Sequence, residues 1–206
     1  CYWSFLRKTW NLKNYGFINV RQNMDYNHLT IKLNRMNRFI YVAILVAMGS
    51  VLHGLEDLVP LPNLFIPGAK LGFANIVTLI ALFLLGRNEA LLVTLLRVFL
   101  GGLISGNFLN IGFFLALSGG LFAWFGMKMM SKATESVLII SMFGALFHII
   151  GQILVAYLYI QSIHIFWYLL LLFPFAILAG FFTGYLSSLI IHYVRNSSVS
   201  LNRNYK

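Results

Sequence analysis

Six long apolar runs, separated by short polar, proline or glycine breaks, follow one another from residue 37 onward. A helix needs roughly 20 mostly apolar residues to cross the hydrocarbon core of a bilayer. The runs predict helices at 37–55, 71–86, 89–105, 109–130, 136–160 and 166–194. Only 10% of the 206 residues are charged, whereas a soluble domain carries roughly 25%. We therefore predict an all-α integral membrane protein, a bundle of about six transmembrane helices.

The segments outside these runs differ from them in composition. Residues 1–36 are polar and rich in asparagine, and they lack a small-residue cleavage site after an apolar core, so we do not interpret them as a signal peptide. They predict a polar or interfacial N-terminal tail, and either Met24 or Met36 is the expected native start. The membrane domain is expected at 37–194, followed by a basic cytoplasmic tail at 195–206.

The fifteen lysines and arginines predict the orientation of the chain in the membrane. Seven precede the first apolar run and three follow the last one. Three more, Arg87, Lys128 and Lys132, lie in loops on that same side, whereas only Lys70 lies on the other side and Arg97 falls inside a helix. Cytoplasmic loops carry the excess of basic residues. We expect a multi-pass protein of the cytoplasmic membrane with both termini in the cytoplasm, and we attribute the net charge of +10 to this asymmetry rather than to nucleic-acid binding.

Arg97 is the most informative single residue, because it lies in the middle of the apolar run LLVTLLRVFLGG. A cation at that depth costs roughly 3 kcal/mol on insertion scales and usually faces a cavity or a partner. It is therefore either a partner for an anion or a gate, or a residue held in a buried structural pairing. Glu56 is an acidic partner for it only if the helices bring the two side chains together.

A second group of polar residues lies at the predicted outer ends of the helices. A loop with three prolines follows the first helix, and such a loop over a polar, aromatic mouth suits a capped small-molecule pocket. The alternative is an interfacial belt of aromatic residues with solvated polar neighbours. The predicted substrate-binding residues from this group are His53, Glu56, Lys70, Asn75, Asn107 and Asn110.

His148 and Gln152 lie one turn apart and share a face of the fifth predicted helix. They either line the pocket or form a buried hydrogen bond between helices. Together with Arg97 they complete the set of predicted binding residues.

Several kinds of chemistry have no sequence signature in this chain. There is no GxxxxGK[ST] phosphate loop, no HExxH and no CxxC motif, and the chain has only five acidic residues. Metal-assisted diphosphate chemistry needs several convergent carboxylates. We therefore expect no metal, no cofactor and no catalytic residues, and we predict that the protein is not an enzyme.

The runs AILVAMGSVL, PNLFIPGAKLGFANIVTLIALFLLG, LLRVFLGGLISG and LSGGLFAW, in this order, resemble the Gx transporter family, which is also labelled heptaprenyl diphosphate synthase component I. This family is similar to the S components of energy-coupling factor (ECF) transporters. The resemblance covers about residues 37–194 and implies a six-helix subunit that binds a vitamin-like small molecule, such as a flavin or quinone precursor, from outside.

The resemblance also implies partners. S components dock on a membrane scaffold subunit that carries two cytoplasmic ATPases, and an AxxxA motif in the first helix makes the contact. Here that motif falls on Ala43 and Ala47. Two other functions stay open: a non-catalytic membrane subunit associated with heptaprenyl diphosphate synthesis, and a small channel or self-sufficient carrier.

Overall fold

The computed structural model describes residues 35–56, 72–106 and 108–204, with side chains from residue 36 to 194. Six α-helices and one short 3-10 turn, Ile163–Ile165, make up almost all of this part of the chain. The all-helical membrane bundle predicted from the apolar runs is confirmed. The helices are α1 Arg35–Glu56, α2 Asn75–Leu84, α3 Arg87–Ile104, α4 Ile111–Met130, α5 Val137–Ile160 and α6 Phe166–Asn204.

The beginnings of α1 and α3 lie at the same end of the bundle. Arg38 Nη1 and Glu89 Oε1 are 2.8 Å apart and join the first turns of these two helices. The indole Nε1 of Trp124, near the end of α4, donates to the carbonyl of Arg87 over 3.0 Å. We call this the basic end, because Arg38, Arg87 and Lys128 lie there. The opposite end, where α1 finishes at Glu56, is called the Glu56 end.

Helix α2 is the centre of the bundle, although it is the shortest of the six. All ten of its residues are buried, and it contacts each of the other five helices. It is shorter than the predicted 71–86, because Gly72 and Gly86 adopt backbone φ angles of 85° and 120° that helical residues do not have. Ten residues at about 1.5 Å each span about 15 Å, or half of a bilayer core of about 30 Å.

This length places the start of α2 inside the bundle. Its last residue, Leu84, is followed by a short turn into α3 at the basic end. Its first residue, Asn75, therefore lies inside the bundle, about 15 Å from the basic end.

Helices α4, α5 and α6 pack against one another in sequence, and glycines allow their close approach. A Cβ on Gly180 of α6 would lie 2.7 Å from the Cα of Met142 in α5. A Cβ on Gly151 of α5 would lie 2.7 Å from the carbonyl oxygen of Ser118 in α4. The small residues at 180 and 184 therefore serve packing inside the bundle, as small residues commonly do between membrane helices.

Four helical segments are long and apolar enough to cross a membrane by length and composition: Met36–Glu56, Ile111–Met130, Val137–Ile160 and Ile163–Val194. Helix α2 is too short, and α3 carries three charged residues, Arg87, Glu89 and Arg97. Helix α6 continues to Asn204, beyond the predicted end at 194. The result is a bundle in which long apolar helices surround a short helix and a charged one.

Candidate functional site

Arg97 lies near the middle of α3 and is buried, with 2% of its surface exposed. Its Nη2 donates a hydrogen bond of 2.6 Å to Oδ1 of Asn75, the first residue of α2, which is 4% exposed. The cation predicted from the apolar run therefore points into the bundle and contacts the start of the half-length helix.

Glu56, the last residue of α1, reaches the same region and is 5% exposed. Its Oε1 accepts a hydrogen bond of 3.2 Å from the backbone N–H of Ala74, directly before α2. The negative charge of Glu56 also attracts the guanidinium of Arg97. The helices therefore bring Glu56 to the start of α2, beside the residue that Arg97 contacts, and the carboxylate lies at the N-terminus of α2, where helix dipoles favour negative charge.

Two glycines make room for Arg97 between its neighbouring helices. A Cβ on Gly49 of α1 would lie 3.0 Å from Cδ of Arg97, and a Cβ on Gly120 of α4 would lie 3.6 Å from its Nη2. A methyl group at Gly49 would also come within 2.7 Å of Val77. The arginine is therefore held between backbone surfaces of α1 and α4.

His148 and Gln152 of α5 lie on the other side of Asn75. Their Nε2 atoms are 3.0 Å apart, so the pair is joined along one helix face rather than between two helices. A Cβ on Gly72 would lie 2.8 Å from Nδ2 of Asn75 and 3.1 Å from Cδ2 of His148. A Cβ on Gly119 would lie 2.7 Å from Cε1 of the same ring. The two glycines hold the imidazole next to the amide of Asn75.

Five buried side chains thus form what we call the polar cluster: Glu56, Asn75, Arg97, His148 and Gln152. Within it, Nε of Arg97 and Nδ2 of Asn75 are buried and donate to no acceptor in the structure. Each belongs to the same planar group as an atom of the Arg97–Asn75 hydrogen bond, because Nε and Nη2 share Cζ of Arg97, and Nδ2 and Oδ1 share Cγ of Asn75. Buried polar groups without a partner are rare in proteins, and each one calls for a water, an ion or a ligand.

The other predicted site residues lie in different places. His53 is buried on α1, where a Cβ on Gly101 of α3 would lie 2.6 Å from its Cδ2. Asn110 is exposed and precedes α4, so the structure does not bring it to the polar cluster. Lys70 and Asn107 lie outside the described residues. Ala43 and Ala47 are both exposed on α1, whereas Ser50, one turn further, is buried.

The glycines were not among the predicted site residues, although they determine how closely the helices approach the cluster. The pair Gly119–Gly120 in LSGGLFAW was a usable signal, because adjacent glycines within a long apolar helix usually serve a close approach. Gly49 gives no comparable signal, since single glycines are frequent in membrane helices. Among the described side chains, no group of three or more His, Cys, Asp or Glu residues is placed to hold a metal ion.

The fold and the polar cluster define a class of protein, a helical membrane bundle with a buried polar site at about half its depth. The chain belongs to the heptaprenyl diphosphate synthase component I family, whose profile matches residues 45–190. This confirms the family expected from the order of the apolar segments. No curated protein and no solved structure matches the chain.

Proposed function

We propose that the chain is the substrate-binding membrane subunit, or S component, of an ECF-type uptake transporter for a vitamin-like small molecule. One observation carries the proposal: the half-length helix α2 starts inside the bundle, and its first residue contacts the buried cation of Arg97. Transporters commonly bind substrates near the bilayer midplane, where discontinuous helices present their termini. Ionisable residues at that depth usually belong to a functional site.

A docking face on α1 supports the same function. Ala43 and Ala47 are exposed four residues apart, so they form a smooth strip on the outside of the bundle. In the proposed complex this strip contacts a membrane scaffold subunit that carries two cytoplasmic ATPases. The ATPases supply the energy for transport, and this chain supplies the binding site.

The charge distribution supports an orientation with the basic end in the cytoplasm. Arg38, Arg87, Lys128 and Lys132 lie at the basic end, and no lysine or arginine among the described residues lies at the Glu56 end. In a Cys1→Ser background, a cysteine introduced at Lys132 should react with a membrane-impermeant thiol reagent only from the cytoplasm. A cysteine at Ile163 should react only from outside, and labelling of both from one side would contradict the six-helix arrangement.

The transporter assignment is tested on Ala43→Trp combined with Ala47→Trp. Bulk on this strip separates helix backbones that must approach closely. The double variant should fold and retain its small molecule, but it should lose the scaffold and the ATPases on affinity purification, and ATP-dependent uptake should stop.

A matched control is available on the same helix. Ile44→Trp combined with Met48→Trp changes the two neighbouring positions, which are 51% and 47% exposed and lie about 100° further round the helix. This control should keep both the partners and the uptake. Loss of partners in both double variants, or in neither, would overturn the docking assignment.

The family description favours a second function, a non-catalytic membrane subunit associated with heptaprenyl diphosphate synthesis. It predicts a different partner, a soluble synthase with aspartate-rich magnesium sites. Affinity purification of the native chain separates the two functions, because the transporter brings ATPases and the biosynthetic complex brings the synthase.

A further inference from the structure

We propose that Nε of Arg97 and Nδ2 of Asn75 donate hydrogen bonds to the carbonyl oxygens of a neutral, planar small molecule. The inference rests on the proposed function and specifies the class of substrate. Both nitrogens are buried, and neither has an acceptor in the structure. Leaving a buried donor unsatisfied costs about 1–3 kcal/mol, and more when the group is charged. An acceptor from outside the chain would recover that cost for both atoms.

The two donors belong to side chains that contact each other. A hydrogen bond of 2.6 Å from Nη2 of Arg97 to Oδ1 of Asn75 joins the two planar groups, and both side chains are buried. Each unused nitrogen lies two covalent bonds from that contact. A ligand with two acceptor oxygens along one edge, a few ångströms apart, matches this arrangement better than a single oxygen does.

The charges around the donors favour a neutral ligand over an anion. Glu56 already places a negative charge near the guanidinium of Arg97. The same carboxylate accepts from the N–H of Ala74 at the start of α2, so it also occupies the position at which a helix dipole attracts an anion. Among the described residues, Arg97 is the one cation in the polar cluster, so a second buried anion there would lack a cation of its own, and burying an unpaired charge is costly.

Asn75→Asp separates ligand recognition from structure. The substitution keeps an oxygen for Nη2 of Arg97 but replaces the nitrogen donor by a second acceptor. Because aspartate adds a second buried carboxyl near Glu56, the variant should be less stable than the native protein, so binding is compared on the folded fraction. If the contact is only structural, that fraction should bind as the native protein does. If Nδ2 donates to a carbonyl oxygen of the ligand, the variant should lose binding, because the new aspartate oxygen and the ligand oxygen are both acceptors.

Ser187→Ala is the matched control. The Oγ of Ser187 is also buried without a hydrogen-bond partner, but it lies on α6, near the turn in which Gly184 approaches Ser141 of α5. Removing it deletes an unsatisfied polar atom of the same bundle away from the polar cluster. Its binding should equal that of the native chain.

The probe is N-methylphthalimide, which is neutral and carries two carbonyls on one edge. Phthalate has similar size and two negative charges, and indane has neither oxygens nor charge. The full chain, labelled with 15N-arginine in nanodiscs, reports on the Nε–H resonance of Arg97, which is identified by its absence in Arg97→Lys. N-methylphthalimide should shift this resonance in the native chain and in Ser187→Ala. In Asn75→Asp, the same shift should need at least a tenfold higher concentration of the probe.

Each other result overturns the inference. A shift with phthalate alone would mean that the site binds anions. Equal shifts with indane would mean that the probes only enter the apolar bundle, and no shift at all would leave water as the acceptor of both donors. The proposed function fails separately: a chain that binds the imide but purifies without ATPases is not an ECF subunit, and one with ATPases but no imide response binds another class of substrate.

Discussion

The polar cluster and the contact between α5 and α6 both bury polar side chains, but they satisfy them differently. In the α5–α6 contact, the hydroxyls of Ser141 and Thr183 are 2.8 Å apart, and Thr183 also donates to the carbonyl of Gly180 over 3.1 Å. In the polar cluster, Arg97 and Asn75 share one hydrogen bond, and each retains a nitrogen without an acceptor. The Ser141–Thr183 pair is complete within the chain, whereas the Arg97–Asn75 pair is not.

This difference matches the proposed division between polar groups that join helices and polar groups that bind a ligand. Hydroxyls on membrane helices can turn to a nearby backbone carbonyl, as Thr94 does with Ala90 over 2.8 Å. A guanidinium has five N–H donors in a fixed plane, so a tightly packed bundle rarely satisfies all of them. An arginine in such a position is costly for packing alone, and the proposed binding role would account for that cost.

The largest effect on uptake is expected for Arg97→Leu, which removes the cation of the polar cluster and leaves the α5–α6 contact unchanged. Leucine enters the membrane more readily, so the variant should insert normally. It also removes a positive charge that attracts Glu56, so folding stability should fall as well. Uptake should fall by at least tenfold, about 1.4 kcal/mol, as measured with radiolabelled substrate in whole cells at matched expression.

Its control restores the charge balance without restoring the donor. In Arg97→Leu combined with Glu56→Gln, the glutamine oxygen can still accept from the N–H of Ala74, so stability should recover. Uptake should stay low because the guanidinium is missing. Recovery of uptake in the double variant would show that Arg97 serves only to balance Glu56.

A smaller effect is expected for Gly180→Val, which tests the α5–α6 contact alone. The new Cβ would lie 2.7 Å from the Cα of Met142, so the backbones must separate. Overpacking of this kind typically costs about 1–3 kcal/mol. Thermal unfolding in detergent should show the loss, while the substrate affinity of the folded fraction should remain native. A change in affinity without a change in stability would contradict the separation of the two regions.

The smallest effect is expected for Thr183→Val, which removes one hydroxyl of a satisfied pair. Hydrogen bonds between membrane helices contribute about 0.6 kcal/mol on average. The variant should unfold at slightly lower denaturant concentration and transport at the native rate. Asn75→Leu, which removes the amide of the polar cluster, should instead reduce uptake strongly. Equal effects of Thr183→Val and Asn75→Leu on uptake would contradict the distinction between the two regions.

Some parts of the site were predictable from the sequence, and others were not. A single charge within the run LLVTLLRVFLGG marks Arg97 by its cost alone, and His148 and Gln152 share a face by their spacing of four. Asn75 was expected at the mouth of a pocket, but the structure places it in the middle of the bundle. The reason is the length of α2, which depends on the backbone angles at Gly72 and Gly86.

The sequence by itself determined the class of fold, because the apolar runs exceed what a water-facing surface tolerates and their lengths match the thickness of a bilayer. It also determined that an arginine would be buried. Only the tertiary structure decided what that arginine contacts. Asn75 lies 22 residues from its partner Arg97 along the chain, and Glu56 lies 18 residues from its partner Ala74. Apolar segments of similar composition carry little information about which helix packs against which. The close approaches at Gly49, Gly119 and Gly120 made that choice through steric fit, which is a property of paired surfaces rather than of any single segment.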